Sequence, residues 1–99
     1  MAAFGIHVAG FLVARTLAAQ EHEILNLAVA PEFRRQGVGR ALVSGLLERA
    51  PGEVYLEVRP SNTGARRFYQ MLGFEEVTTR PDYYEYPPES AIVLKFHSC

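Results

Sequence analysis

The hydrophobic positions near the start of the chain have the spacing of strands. A strand is predicted over residues 10–15, after a short, mostly apolar lead-in that begins at Phe4. A second strand is predicted over residues 23–29, where side chains are apolar on both faces, as is typical of a strand covered on two sides. Pro31 ends this strand because proline has no N–H to give to the ladder.

The next segment changes from helical to strand spacing. A helix is predicted from about residue 37 to residue 49, with Val38, Leu42 and Leu46 on one stripe, and Pro51 stops it. Residues 54–58 then alternate strictly. This alternation puts the apolar residues on one face of a strand and Tyr55 and Glu57 on the other.

The last third of the chain predicts a second helix and two strands. Ser61 or Asn62 can cap the helix, whose apolar side chains include Phe68 and Tyr69, and Gly73 stands where a left-handed residue ends it. Strands are predicted near residues 74–79 and 91–96, joined by a loop rich in Tyr and Pro. The order strand, strand, helix, strand, helix, strand, strand predicts an α/β sandwich with a mixed sheet.

Composition narrows the class of protein. With 99 residues, 48% of them hydrophobic and 21% charged, we expect one globular domain over residues 1–99. The net charge of -1 gives no basic field to hold nucleic acid, and no apolar run is long enough to cross a membrane. The single cysteine, Cys99, excludes an internal disulfide and fits a reducing compartment, so we expect a cytoplasmic protein.

The segment from residue 29 to residue 40 has the features of an anion site. It runs from a strand end through a basic turn into a helix, whose first N–H groups have no partner within the helix. Gly37 and Gly39 would let phosphate oxygens approach the backbone, and Arg34, Arg35 and Arg40 add positive charge. The glycines alone fit equally well a softened helix start with solvated arginines.

The motifs of this segment and of three others resemble one known family. Residues 34–39, Arg-Arg-Gln-Gly-Val-Gly, resemble the Gln/Arg-x-x-Gly-x-Gly/Ala signature of the GNAT acetyltransferases. Residues 24–31, 56–62 and 68–74 follow in the order and spacing of the RimI-type branch, the ribosomal-protein alanine N-acetyltransferases, and residues 80–84 resemble its Arg-x-x-Tyr-Tyr loop. The resemblance covers the chain from Gly10 onward. It implies a mixed sheet with helices on both faces, whose N-terminal strand and helices are shortened or missing.

The resemblance implies acetyl-CoA as co-substrate. Backbone groups of Leu27, Ala28 and Val29 would pair with the acetyl-pantetheine arm as an added strand. The pyrophosphate would be cradled by Arg35, Gln36, Gly37, Val38, Gly39 and Arg40. Asn62 would hydrogen-bond the pantetheine arm, and its other interpretation, as a helix cap, is compatible with that role.

Two side chains are candidates for the chemistry. Attack of an amine on a thioester needs a proton acceptor for the amine and a proton for the departing thiolate. The resemblance implies that Glu57 is the acceptor and Tyr69 the donor. The alternatives are a strand glutamate that faces solvent or pairs with an arginine, and a tyrosine that only packs.

The acceptor amine is less well defined. Glu23, Tyr83 and Tyr84 are predicted to line its slot, on the expectation that the final loop returns beside the strand of Glu57. The resemblance favours a protein N-terminal amine, for example of a ribosomal protein. A small-molecule amine and a non-catalytic CoA-binding or interaction module are the alternatives. The histidines are too scattered for a metal site, so none is expected, and an exposed sheet edge would favour a homodimer or a bound partner.

Overall fold

The secondary-structure elements follow one another in the predicted order. The computed structural model describes residues 9–85 and 88–98, with the backbone alone for 82–85, 88 and 98; the predicted lead-in from Phe4 and the thiol of Cys99 lie outside these residues. The strands are β1 (Gly10–Ala18), β2 (Glu21–Val29), β3 (Gly52–Val58), β4 (Glu75–Glu85) and β5 (Pro88–Ser98). The α-helices are α1 (Val38–Arg49) and α2 (Thr63–Met71), and a 3-10 turn spans Pro31–Phe33. Neither helix is long and apolar enough to cross a membrane.

The five strands form one mixed sheet, as predicted. Their order is β1-β2-β3-β5-β4, and β2 and β3 are the parallel pair among antiparallel neighbours. The parallel pairing is short. It runs from Glu21 opposite Glu53 to Glu23 opposite Tyr55, and beyond this point the two strands no longer pair. The sheet therefore opens between the carboxyl-terminal halves of β2 and β3.

The core lies on one face of the sheet. The predicted alternation of β3 is confirmed, since Val54, Leu56 and Val58 are buried there. Both helices add to the same cluster, α1 through Val43 and α2 through Tyr69. Within the described residues the helices thus share one face, whereas the resemblance implied helices on both. The expectation that β2 is covered on two sides is not met, since Leu25 is 52% exposed.

Helix α1 is rotated relative to its predicted stripe. Val43 is its fully buried residue, while Val38, Leu42 and Leu46 are only half-buried. The spacing of apolar residues predicted a helix correctly, but it did not determine which apolar residue of α1 is buried against the sheet. Which one is buried depends on the direction from which the helix meets the sheet.

The last two strands are longer than predicted, and the Tyr- and Pro-rich loop between them is mostly strand. The backbone of Tyr83 and Tyr84 lies in β4, with Tyr84 opposite Glu89; their side chains lie outside what the structure describes. The register slips between Arg80 and Tyr84, at a bulge that contains Pro81. A proline is tolerated at such a bulge on an edge strand because no ladder hydrogen bond is required of it.

Candidate active site

A cleft of about 330 Å³ occupies the opening between β2 and β3. This inter-strand cleft is lined by residues 24–27 of β2, residues 56–59 around the end of β3, and Asn62, Ala65 and Tyr69. A bulge accompanies the opening: Val13 of β1 pairs with Asn26 and Ala14 pairs with Ile24, so that Leu25 is left as an extra residue. Bulges bend a strand and redirect its groups, and they are frequent beside active sites.

A second cleft, of about 720 Å³, extends from the first to the start of α1. This helix-start cleft is lined by the end of β2, residues of the 33–40 segment and one side of α2. The two clefts share Leu27, Asn62, Ala65 and Tyr69. They form one continuous groove, which leads from the glycine-bearing turn to the opening in the sheet.

The turn before α1 has the backbone of an anion cradle. Arg35 and Gly37 both have left-handed backbone conformations, with φ of 64° and 79°. Gly37 is the N-cap of α1, and no side chain caps this helix. The first N–H groups of α1 are therefore left without an intrahelical or capping acceptor, at the positive end of the helix dipole.

The charges around this helix start favour an anion. Arg34, Arg35 and Arg40 line the helix-start cleft, and Arg34 Nε donates to the carbonyl oxygen of Val29 at 3.3 Å. The first turn of α1 contains no acidic residue, although an acidic residue there would complement the dipole. A basic residue, Arg40, lies there instead. A bound anion would neutralise the charge of Arg40 and accept hydrogen bonds from the unpaired N–H groups.

The two glycines of the turn differ in what they contribute. A Cβ at Gly37 would meet nothing within 4 Å, so glycine is needed there for its backbone angle. A Cβ at Gly39 would lie 3.4 Å from Cζ of Phe68 and 3.6 Å from Cγ2 of Val29. A side chain as small as alanine would therefore make only ordinary van der Waals contacts at Gly39, and its backbone angle is not one that requires glycine.

Helix α2 holds Asn62 and Tyr69 on the wall shared by the two clefts. Asn62 is the N-cap, and its Oδ1 accepts from the Ala65 N–H at 3.1 Å. The carbonyl oxygen of Tyr69 accepts from the Phe74 N–H at 3.0 Å, and Gly73, with φ of 102°, makes the companion bond to Gln70. These are the two hydrogen bonds of a Schellman motif, so Tyr69 is fixed at the helix end.

The ring of Tyr69 is both packed and placed at the groove. It is 7% exposed and meets Phe68 and Phe74 edge to face, at centroid distances of 5.0 and 5.4 Å. Burial raises the pKa of Tyr69 above its ordinary value. The phenol therefore carries its proton at neutral pH, as a proton donor must.

Glu57 lies on the other side of the opening. The Glu57 side chain is on the face of the sheet opposite the helices, yet Glu57 lines the inter-strand cleft together with Tyr69. The Glu57 side chain is 14% exposed, and its Oε1 accepts from Arg80 Nη1 at 3.0 Å. The other oxygen, Oε2, is buried and has no hydrogen-bond partner among the residues that the structure describes. The pairing with an arginine is thus realised at one oxygen, while the second remains available.

Several predicted site residues are not brought to the groove by their side chains. Glu23 accepts from Arg15 Nε at 2.8 Å and is not among the residues that line either cleft. Ala28 and Gln36 are also absent from both linings, and the Gln36 amide donates to the carbonyl oxygen of Glu32 at 3.0 Å. In the described part of the chain, no group of three or more His, Cys, Asp or Glu residues could hold a metal ion.

Comparison with known proteins decides the family. The sequence profile of the Acetyltransferase (GNAT) family matches residues 2–74. This chain belongs to the GNAT acetyltransferase family. The ribosomal protein bS18-alanine N-acetyltransferase of Escherichia coli is 44% identical over an alignment of 68 positions, which covers 65% of this chain and 46% of that GNAT protein. The chain thus spans about half the length of the curated relatives it matches.

Solved GNAT structures share the fold. The crystal structure of the S18-alanine N-acetyltransferase from Escherichia coli aligns with a TM-score of 0.80 and 36% identity, covering 92% of this chain and 63% of that one. A GNAT acetyltransferase from Elizabethkingia anophelis, solved with acetyl-CoA bound, aligns with a TM-score of 0.86 at 24% identity, covering 95% and 71%. The mixed sheet with its opening is therefore the GNAT fold.

Sequence reasoning missed two features of this GNAT site. Arg80 was noted only as part of a loop motif, and its ion pair with Glu57 depends on a strand order that no local pattern shows. The bulge at Leu25 is visible only in the structure. Ile24 and Leu27 face the same core although they are three residues apart, and a regular strand would place them on opposite faces.

Proposed function

We propose that the protein binds acetyl-CoA along the groove and transfers the acetyl group to the N-terminal α-amine of a protein. The observation that carries the proposal is the continuity of the groove. It joins an uncapped, basic helix start to an opening in the sheet that Glu57 and Tyr69 line from opposite sides. One end suits a pyrophosphate and the other suits acyl transfer.

The separation of β2 from β3 supports the binding of the acetyl-pantetheine arm. Residues 27–29 lie beyond the last parallel pair, so their backbone is not paired with β3. An extended ligand with amide groups can pair with such an edge as an added strand. Asn62, at the wall of both clefts, keeps its amide nitrogen for the same arm while its oxygen caps α2.

Glu57 and Tyr69 fit the two proton transfers of a direct reaction. The neutral amine attacks the thioester carbonyl carbon, a C–N bond forms, and the C–S bond breaks. Glu57 Oε2 takes the proton that the amine loses, directly or through one water, and the Tyr69 hydroxyl protonates the departing CoA thiolate. The tyrosinate then regains a proton from solvent.

Two arguments favour a protein α-amine as acceptor. The pKa of an α-amino group is about 8, against about 10.4 for lysine, so a larger fraction of it is the neutral nucleophile at pH 7. The relatives at 44% identity carry the name of a ribosomal-protein alanine N-acetyltransferase. We therefore propose a protein N-terminus that begins with a small residue, in a ribosomal protein in the first instance.

The test is an acetyl-transfer assay with the full chain and a panel of acceptors. The panel contains a peptide with a free N-terminal alanine, the same peptide with a blocked N-terminus and an internal lysine, and a small polyamine. We expect CoA release with the free peptide and, by mass spectrometry, one acetyl group at its α-amine. Transfer to the polyamine alone would assign a small-molecule acceptor instead.

A variant links the activity to this site. Glu57→Gln keeps the size of the side chain and removes the base, so turnover should fall by about 10²- to 10⁴-fold. The stabilisation by acetyl-CoA should be unchanged. Turnover within twofold of the parent would remove Glu57 from the reaction, and acetyl-CoA binding without any transfer would identify a non-catalytic module.

A further inference from the structure

We propose that Arg80 is a positioning residue for the acyl transfer, which holds one oxygen of Glu57 so that the other points into the inter-strand cleft. This inference rests on the proposed function and adds a residue to it. Arg80 Nη1 donates to Oε1 of Glu57 at 3.0 Å. The carboxylate is then fixed at one oxygen and rotates less, and Oε2 becomes the atom presented to the amine.

The state of Oε2 is what distinguishes this ion pair. Of the buried side-chain oxygens and nitrogens in the part of the chain that the structure describes, Oε2 of Glu57 is the one without a hydrogen-bond partner. An unsatisfied buried oxygen is unfavourable, and native proteins keep few of them. Glu57 lines the same cleft as Tyr69, and a proton acceptor must have a free lone pair. A role as proton acceptor would therefore explain why Oε2 is left without a partner.

Carboxylates elsewhere in the fold show the contrast. Glu76 uses both oxygens, accepting from Arg66 Nε at 2.8 Å and from Nη2 at 3.1 Å. Glu89 also uses both, accepting from the Ser61 N–H and from the Ser61 hydroxyl at 3.1 Å each. These are the arrangements expected of groups that hold elements together. Glu57 is held through Oε1 by Arg80, and its second oxygen is kept out of the network.

The route of the Arg80 side chain shows why an arginine is suited to this task. Arg80 lies on β4 and Glu57 on β3, and β5 runs between them. The backbone of Arg80 is opposite Ala91, and that of Glu57 is opposite Val93. The side chain must therefore cross a whole strand, a distance of about 10 Å between the two outer strands. The Arg80 side chain is 60% exposed, and an ion pair with so exposed a partner adds little to stability.

The experiment compares Arg80→Ala and Arg80→Lys with a matched control, Lys95→Ala. Lys95 makes the same kind of cross-strand pair on the same face of the sheet, with Glu53 Oε2 at 2.9 Å, but it lines neither cleft. Steady-state kinetics with acetyl-CoA and the accepted peptide are measured below the melting temperature of each variant. Arg80→Ala should lower kcat on the order of 10- to 100-fold, the usual effect of a misplaced catalytic group, with KM for acetyl-CoA unchanged.

Two further readouts separate positioning from simple structural support. Arg80→Lys should recover part of the lost kcat, since an ammonium can still donate to Oε1. In a Glu57→Gln background, Arg80→Ala should cause no further loss, because the residue acts through the carboxylate. Lys95→Ala should have the turnover of the parent.

The outcomes that overturn the inference differ from those that overturn the proposed function. If Glu57→Gln is impaired while Arg80→Ala matches Lys95→Ala, the positioning role is wrong and the proposed function stands. The role is equally wrong if Arg80→Ala raises KM alone, or if its effect persists in full beside Glu57→Gln. If the parent transfers no acetyl group, or Glu57→Gln has the parent's turnover, the proposed function fails and the inference with it.

Discussion

The substitution Tyr69→Phe tests whether the phenol of Tyr69 is chemical or structural. It removes one hydroxyl and keeps the ring, which is 7% exposed and in edge-to-face contact with Phe68 and Phe74. The packing is therefore preserved, and stability should change by no more than about 1 kcal/mol, the value of one net hydrogen bond. In a domain of this size that corresponds to a melting shift of about 4–8 °C at most.

The expected effect on the reaction is larger. If Tyr69 protonates the departing thiolate, its loss should slow single-turnover acetyl transfer by about 10²- to 10⁴-fold. This range is about 2.7–5.5 kcal/mol in the activation free energy. The assay is rapid-quench transfer by the purified variant with saturating acetyl-CoA and peptide, beside a melting curve of the same sample.

The choice of phenylalanine matters because alanine would confound the two roles. Tyr69→Ala would open a cavity next to Phe74 at a cost of about 3–5 kcal/mol, a large share of the 5–15 kcal/mol that stabilises a typical domain. A Phe variant that melts several degrees lower yet transfers acetyl at the parent rate would refute the reasoning. The thiolate would then take its proton from water, and Tyr69 would be a core residue.

Two other predictions concern the anion site and an ion pair. Gly37→Ala should lower stability by about 1–2 kcal/mol because φ is 79°, and the new methyl group meets no atom, so acetyl-CoA should still raise the melting temperature. Gly37→Glu has the same backbone cost and adds a negative charge at the anion site. Acetyl-CoA should therefore no longer raise the melting temperature of this variant. If both variants respond to acetyl-CoA alike, the pyrophosphate does not bind there. The hydrogen bond from Arg59 holds the pKa of Glu89 below its ordinary value of 4.5. The stabilisation that ionised Glu89 gives the fold is therefore present above about pH 4.5 and is lost as the pH falls through the lower pKa of the folded state. The melting temperatures of the parent and of Glu89→Gln should converge in acid. A gap that stays constant with pH would show that Glu89 is not ionised in the interaction.

The start of the second helix and the face of β3 were predictable because they depend on local chemistry. Asn62 caps α2 and Gly73 ends it, as the residue types indicated, since a cap needs only a short acceptor side chain and a left-handed residue favours glycine. The length of β4 was not predictable in the same way. Pro81 reads as the start of a loop, and only pairing with β5 carries the strand past it through a bulge.

The sequence by itself determined the order of elements, the mixed sheet and the basic glycine turn at the start of α1, because these follow from the spacing of apolar residues and from local backbone preferences. Tertiary structure alone decided where the sheet opens, that Val43 is the buried residue of α1, and that Arg80 reaches Glu57 across β5. Each of these brings together groups that are distant in the chain, and such contacts depend on the packing of whole elements rather than on any neighbouring residue.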